Sequence, residues 1–313
     1  MSLFIHEIAE CITDAYYPPG GDRYDKQWKR LNKPFVFQDT KSNSIIFADT
    51  LMLFNFANEF VQLKVPFILV SAECDYTIPY RSYFDKDYSA YNILDNPNLI
   101  CWFSINVDYN HPKLKPIPIG LPKHIPFLIK EHKMMLWSLS FSIEKVRTFL
   151  SNYSENKVAN FIKFNKDLIY SRMTTSNSTN SWHSFEDIRI TAKNKLLQNG
   201  IRLSNELVPW EQYINEMVNY KFCLSLPGKG IDCYRTWEAL SIGVIPIVIH
   251  SEHLVSLYQD LPVVIVKDVG QITPSFLHRQ FAIISEKIHM YKWEKLTNDF
   301  WIDYIKSSII SGL

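Results

Sequence analysis

Arg235 and Glu238 stand three residues apart, shortly after a loop that reads Pro227-Gly228-Lys229-Gly230 and an aspartate, Asp232. Glycines let a backbone approach phosphate oxygens closely. A helix beginning near Asp232, its expected N-cap, would add free N–H groups and a partial positive charge. Arg235, one turn in, can add a charge-assisted hydrogen bond to a diphosphate, and Glu238 can accept from ribose hydroxyls. The chemistry these types suit is the holding of a nucleoside diphosphate. A plainer reading stands beside it: GKG as a tight turn, with Arg235 and Glu238 a surface ion pair. The spacing is neither the Walker loop nor the G-x-G-x-x-G fingerprint.

The elements that must position these groups are legible nearby. FCLSLP (Phe222–Pro227) reads as a strand leading into the loop, and VIPIVI (Val244–Ile249) as the strand after the helix. At 100° per residue Cys233, Trp237 and Leu240 share one face, which should pack on the sheet, while Asp232, Arg235 and Glu238 lie opposite. Gly243 sits where the helix would stop. Further short apolar runs recur at Ser44–Asp49, Pro66–Glu73, Leu99–Ser104, Asp167–Ser171 and Val263–Asp268. They show little alternation and suit buried parallel strands. Helical patterns lie between several of them (TLMLFNFANEFVQL, EDIRITAKNKLLQN, PWEQYINEMVNY), and two more close the chain, near Ser275–His289 and Trp293–Ile310. Strand alternating with helix means an α/β protein.

Composition narrows the function classes. A chain of 313 residues suggests two domains or one large unit, and 47% hydrophobic residues give it enough to bury a core. The 33 basic and 32 acidic residues leave a net charge of +1, which is not the footprint of a protein that coats nucleic acid. Five scattered cysteines without a CxxC pair suit a reducing compartment. MSLFIHEIAE lacks the order of a signal peptide, and no run of 18 apolar residues is present. The expectation is a soluble, cytoplasmic protein with no membrane span. A change of texture between about Pro126 and Lys163 divides it into an N-terminal domain, 1–150, and a C-terminal one, 151–292, with a last helix, about 293–313, packing back on the first.

Leu226–Ile249 resembles the C-terminal signature of exostosin-like glycosyltransferases, family 47 and its compact soluble relatives. The matching residues are Pro227, Gly228, Arg235, Glu238, Ala239, Gly243 and Pro246, followed by Gln259-Asp260-Leu261-Pro262. PFILVSAECDY (Pro66–Tyr76) and NPNLICWFSINVDYNHPKLKPIPIGLP (Asn96–Pro122) are similar to the family's N-terminal stretches. The resemblance implies a GT-B fold: two Rossmann-like domains facing across a cleft, the C-terminal one holding a nucleotide sugar. It also implies inverting transfer with no obligatory metal or cofactor, from a UDP-sugar by family habit (a pentose such as xylose is one choice), to a glycan hydroxyl. Pro227, Gly228, Lys229, Gly230, Asp232, Arg235 and Glu238 would form the donor site. Arg189, which matches an arginine of the family, and Arg172, after strand DLIYS, are further candidates for phosphate.

An inverting transfer needs a group that takes the acceptor hydroxyl's proton. Asp75, at the end of the strand Pro66–Glu73, is the first candidate, Glu73 the second and His111 the third, with Asn106 beside them. Each has a structural alternative: Asp75 as a turn cap, His111 as a loop residue before Pro112, Arg189 as a solvated helix position. Trp102, Trp237 and Trp301 read as core residues, and His250 with His253 lacks a third metal ligand. Two other functions remain open from sequence: a non-catalytic glycan-binding protein on the same scaffold, and a sugar-nucleotide epimerase or hydrolase.

Overall fold

The computed structural model describes residues 10–11, 36–50, 53, 56–72, 77–78, 91–120, 167–172 and 186–311. Two compact units emerge, Met1–Pro118 with Trp301–Leu313, and Ile119–Phe300. Each carries its own parallel sheet.

In the first unit the strands are β1 (Glu10–Cys11), β2 (Ser44–Asp49), β3 (Phe67–Ala72), β4 (Leu99–Ser104) and β5 (Leu114–Pro116), paired in that order and all parallel. Every residue of β3 is buried, as a continuous apolar run requires when both faces are covered. Two short helices, α1 (Ala57–Gln62) and α2 (Tyr91–Leu94), belong to the crossovers. Asn96 ties α1 to β4, its amide donating to the carbonyls of Phe60 and Leu63 at 2.7 and 3.1 Å. β1 and β5 escape the sequence reading. β1 is two residues long, and β5 lies in a proline-rich stretch where a sheet-edge position bonded only to β4 accommodates Pro116.

In the second unit β6 (Asp167–Tyr170), β7 (Tyr220–Leu224), β8 (Ile245–Ile249) and β9 (Val264–Val266) are again parallel and in chain order. Helices α3 (Glu186–Gln198), α4 (Trp210–Met217), α5 (Tyr234–Ser241), α6 (Val255–Tyr258) and α7 (Pro274–Glu286) accompany them. The period-2 alternation of the strands sorts the core into two layers. Phe222, Leu224, Ile245 and Ile247 pack with Ala192 and Leu196 of α3 and with Leu277 and Ile284 of α7. Cys223 and Tyr170 pack on the other side with Tyr213, Ile214 and Met217 of α4 and Ala239 of α5. Pro246 is tolerated inside β8 for a positional reason. Ile247 turns its carbonyl to Ser225 on the β7 side, so the missing N–H of Pro246 lies on the β9 side, where pairing begins only at Ile247.

The last helical pattern is interrupted. Trp293–Leu296 is a 3-10 turn, Thr297 is extended, and α8 runs from Asn298 to Ser311. Thr297 Oγ1 accepts from the Phe300 N–H at 3.3 Å and donates to the Glu294 carbonyl, which separates the two segments. Tyr304 of α8 meets Phe103 edge-on at 5.4 Å within the first unit. Trp102, Trp237 and Trp301 are all buried, as the sequence suggests. Among the described residues no helix is long and apolar enough to cross a membrane.

Candidate donor site

β7 ends at Leu224, and Ser225–Pro227 carry the chain to the loop. The loop is closed by a 3.0 Å hydrogen bond from the Gly228 N–H to the Gly230 carbonyl. Ser225 Oγ and Thr236 Oγ1, both buried, meet at 2.9 Å and tie the start of α5 to the end of β7. α5 stops where expected. Gly243 is left-handed (φ 74°), and the N–H groups of Gly243 and Val244 return to Leu240 and Ala239, which is a Schellman motif.

The orientation of α5 differs from the sequence expectation. Ala239, not Trp237, packs with the strand residue Cys223, and Arg235, one turn earlier, shares that side. Trp237 lies instead against the ring of Tyr258, with 6.3 Å between centroids. Asp232 is not the N-cap: Cys233 holds that place, without a side-chain bond to the helix. The Asp232 carboxylate is buried and accepts from four donors: the Ile119 N–H at 2.8 Å, Trp237 Nε1 at 2.9 Å, Tyr258 OH at 3.1 Å and the Cys233 N–H at 3.0 Å. Burial pushes its pKa up to about 6, with those same donors pulling against the rise. Asp232 therefore fixes the base of the loop and has no lone pair left over for a ligand.

One guanidinium lies on the loop and a second, Arg235, on the helix that follows it. Arg189, on α3, donates from Nε to the Pro227 carbonyl at 2.8 Å. A Cβ at Gly228 would fall 2.9 Å from Arg189 Nη2, so glycine at 228 is what lets the arginine lie across the backbone. Arg235 lies with its Cζ 5.5 Å from the ring centre of Tyr213, donating from Nε to Tyr213 OH at 3.2 Å and from Nη1 to the Leu224 carbonyl at 3.5 Å. Of the guanidinium's five N–H donors, the remaining ones meet no acceptor among the described residues. Burial chiefly, and also the charge of Arg235, hold the Arg189 guanidinium below its usual range. An anion between two such groups would relieve their mutual repulsion. Lys229 is exposed at the tip of the same loop.

Glu238 is 6% exposed and accepts from Tyr213 OH at 3.2 Å. Its carboxylate, expected from sequence to serve ribose hydroxyls, is thus placed against Tyr213. Arg172, expected from sequence as a phosphate candidate, has its guanidinium on Glu216 at 3.0 Å and on the Glu206 carbonyl at 3.0 Å, an ion-pair cluster that holds the end of β6. The Cys233 thiol is pushed up to about 11, first by burial and then by Asp232, which keeps it neutral and unsuited to nucleophilic attack. Tyr213 has no place in the sequence reading: its position on the buried side of α4, beside Ile214 and Met217, marks it only as core.

Asp75 and Glu73 lie outside the described residues. Just before them, Ser71 Oγ donates to Ser104 Oγ and accepts from Trp102 Nε1, both at 2.8 Å, a buried polar chain joining the ends of β3 and β4. Asn106, after β4, is fully buried with φ 51°. His111 accepts the Lys113 N–H at Nδ1 (3.2 Å) and lies nearly parallel to Tyr109, which gives it a structural part in the turn before β5. His253 Nε2 is 3.4 Å from Glu252 Oε1.

No family model matches the chain, and no curated protein matches it. Among solved structures it is similar to one from E. coli, described as trehalose-6-phosphate bound with UDP-2-fluoro glucose. That likeness is 11% identical, covers 85% of this chain and 74% of the other, and has a TM-score of 0.39. An α,α-trehalose-phosphate synthase (UDP-forming) from Burkholderia xenovorans, in complex with glucose-6-phosphate, is 8% identical over 87% and 75% of the two chains, with a TM-score of 0.44. The GtfA/B complex is 12% identical over 87% and 59%, with a TM-score of 0.35. Likeness this loose carries no functional argument.

Proposed function

We propose that the chain is a glycosyltransferase that binds a nucleotide-diphosphate sugar at Pro227–Gly230 and the start of α5. The observation that carries the reading is a glycine loop that opens a helix, with Arg189 lying across the loop backbone and Arg235, in the first turn of the helix, near enough for its charge to act on Arg189, within one α/β unit. Phosphate oxygens would take the loop and helix N–H groups and the open N–H donors of Arg235. The same groups offset the charge that develops on the departing diphosphate, the term most worth stabilising in such a transfer. In the inverting form, the acceptor oxygen bonds to the anomeric carbon as the bond to the phosphate oxygen breaks. The acceptor's proton goes to a base, for which Asp75 is the first candidate, then Glu73 and His111. Uracil as the base and a pentose such as xylose as the sugar rest on the exostosin-like resemblance, as does the arrangement of the units as GT-B.

The metal-free expectation needs a test of its own, because Asp85-Lys86-Asp87 is an Asp-x-Asp, the carboxylate pair that metal-using transferases employ. A thermal-shift panel of UDP, GDP and ADP, each with and without EDTA, addresses both points. One nucleotide should stabilise the protein by about 2.7 kcal/mol at 100 times its Kd. At the usual unfolding entropy per residue, that is a rise of roughly 4 °C. The rise should survive chelation; loss restored by manganese would move the diphosphate to a cation. No response to any nucleotide, with a response to free glycans, would make the chain a glycan-binding protein. Turnover of a sugar nucleotide without acceptor would make it a hydrolase or epimerase.

A further inference from the structure

Tyr213 separates the two charged residues of α5. Its ring lies under Arg235, and its hydroxyl accepts from Arg235 Nε at 3.2 Å while sitting 3.2 Å from Glu238 Oε2. The direction of this chain is forced. Arginine can only donate, so the single phenolic proton must go to the carboxylate. Glu238 is thereby joined to Arg235 through a neutral group, and no direct ion pair between them forms. A direct pair would hold the guanidinium bidentately and neutralise the charge that a phosphate needs. Tyr213 is buried with Ile214 and Met217, so α4 fixes the ring and the ring fixes the arginine.

We infer that Tyr213 is a positioning residue for the anionic ligand of this loop: held by Glu238, its hydroxyl sets the Arg235 guanidinium and keeps it from pairing with that carboxylate. The inference rests on the donor site proposed above. Tyr213→Phe keeps the ring and removes only the hydroxyl. The test is a titration of wild type, Tyr213→Phe, Arg235→Ala and the double variant with UDP, GDP and ADP, following whichever binds wild type best. Tyr213→Phe should weaken binding roughly three- to tenfold, the scale of one hydrogen bond. In the Arg235→Ala background the same change should alter affinity less than about twofold, because Tyr213 acts through the arginine. Equal weakening in both backgrounds would make Tyr213 a packing residue and overturn the inference. So would unchanged affinity of the single variant, or weakening by Tyr213→Phe where Arg235→Ala has no effect. If wild type binds none of the three nucleotides, the donor-site proposal falls and takes the inference with it. If wild type binds and Arg235→Ala weakens binding while Tyr213→Phe does not, the inference alone falls.

Discussion

Asp232→Ala is expected to destabilise the protein by about 3–5 kcal/mol at pH 5, the scale of leaving several buried donors without their acceptor. Four donors lose their acceptor at once: the Ile119 and Cys233 N–H groups, Trp237 Nε1 and Tyr258 OH. Each buried donor left unpaired costs about 1–3 kcal/mol, and relaxation recovers part of the sum. The loss should depend on pH in a definite direction. Burial raises the carboxyl from the ordinary 3.8 to about 6, so the folded chain favours the protonated form. The contribution of this group is fully present below pH 4 and is lost as the pH rises through 6. Removing Asp232 should therefore cost roughly 1.5 kcal/mol less at pH 7.5 than at pH 5. Urea unfolding of both proteins at the two pH values measures it. Equal losses, or a loss under about 1 kcal/mol, would show that Asp232 is not the buried anchor described.

Arg235→Ala should weaken nucleoside-diphosphate binding by roughly 1.5–3 kcal/mol, the range for hydrogen bonds to charged groups, or about 10- to 150-fold. From sequence alone the side chain looks like an exposed helix position whose loss would leave stability untouched. The structure adds a cost. Arg235 covers the ring of Tyr213 and bonds its hydroxyl, so alanine should also remove about 1 kcal/mol of stability. Arg235→Lys keeps the charge but cannot both lie over the ring and donate from Nε, and should fall between the two. Calorimetric titration separates binding from stability. Wild-type affinity in Arg235→Ala would remove the arginine from any phosphate role.

The strands were legible because burial on both faces demands continuous apolar runs: β4 matches LICWFS residue for residue, and β2 matches SIIFAD. The helix stop at Gly243 was legible for a local reason, since only glycine enters the left-handed region without strain there. What periodicity could not supply was the partner of each polar group. Asp232 has the spacing of an N-cap, yet its oxygens go to Ile119 and Tyr258, 113 and 26 residues away in sequence. Arg172 carries the signature of a strand-end phosphate ligand, but Glu216, 44 residues on, claims it. Lys295 is buried with its Nζ on the carbonyls of Ser256 and Gln259, at 3.1 and 2.7 Å, and nothing in WEKL announces that. Tyr213 was hidden in the same way, because a core tyrosine and a tyrosine that sets an arginine look alike in a helical pattern.

Hydrogen exchange of the full chain, with and without the nucleoside diphosphate that binds it best, tests the central claim most directly. A diphosphate seated on the glycine loop and the start of α5 must engage backbone N–H groups there. Exchange should slow at the amides of residues 226–236, and to a smaller extent on α3 around Arg189. Protection confined to residues 91–120, with none at 226–236, would place the nucleotide elsewhere and contradict the account.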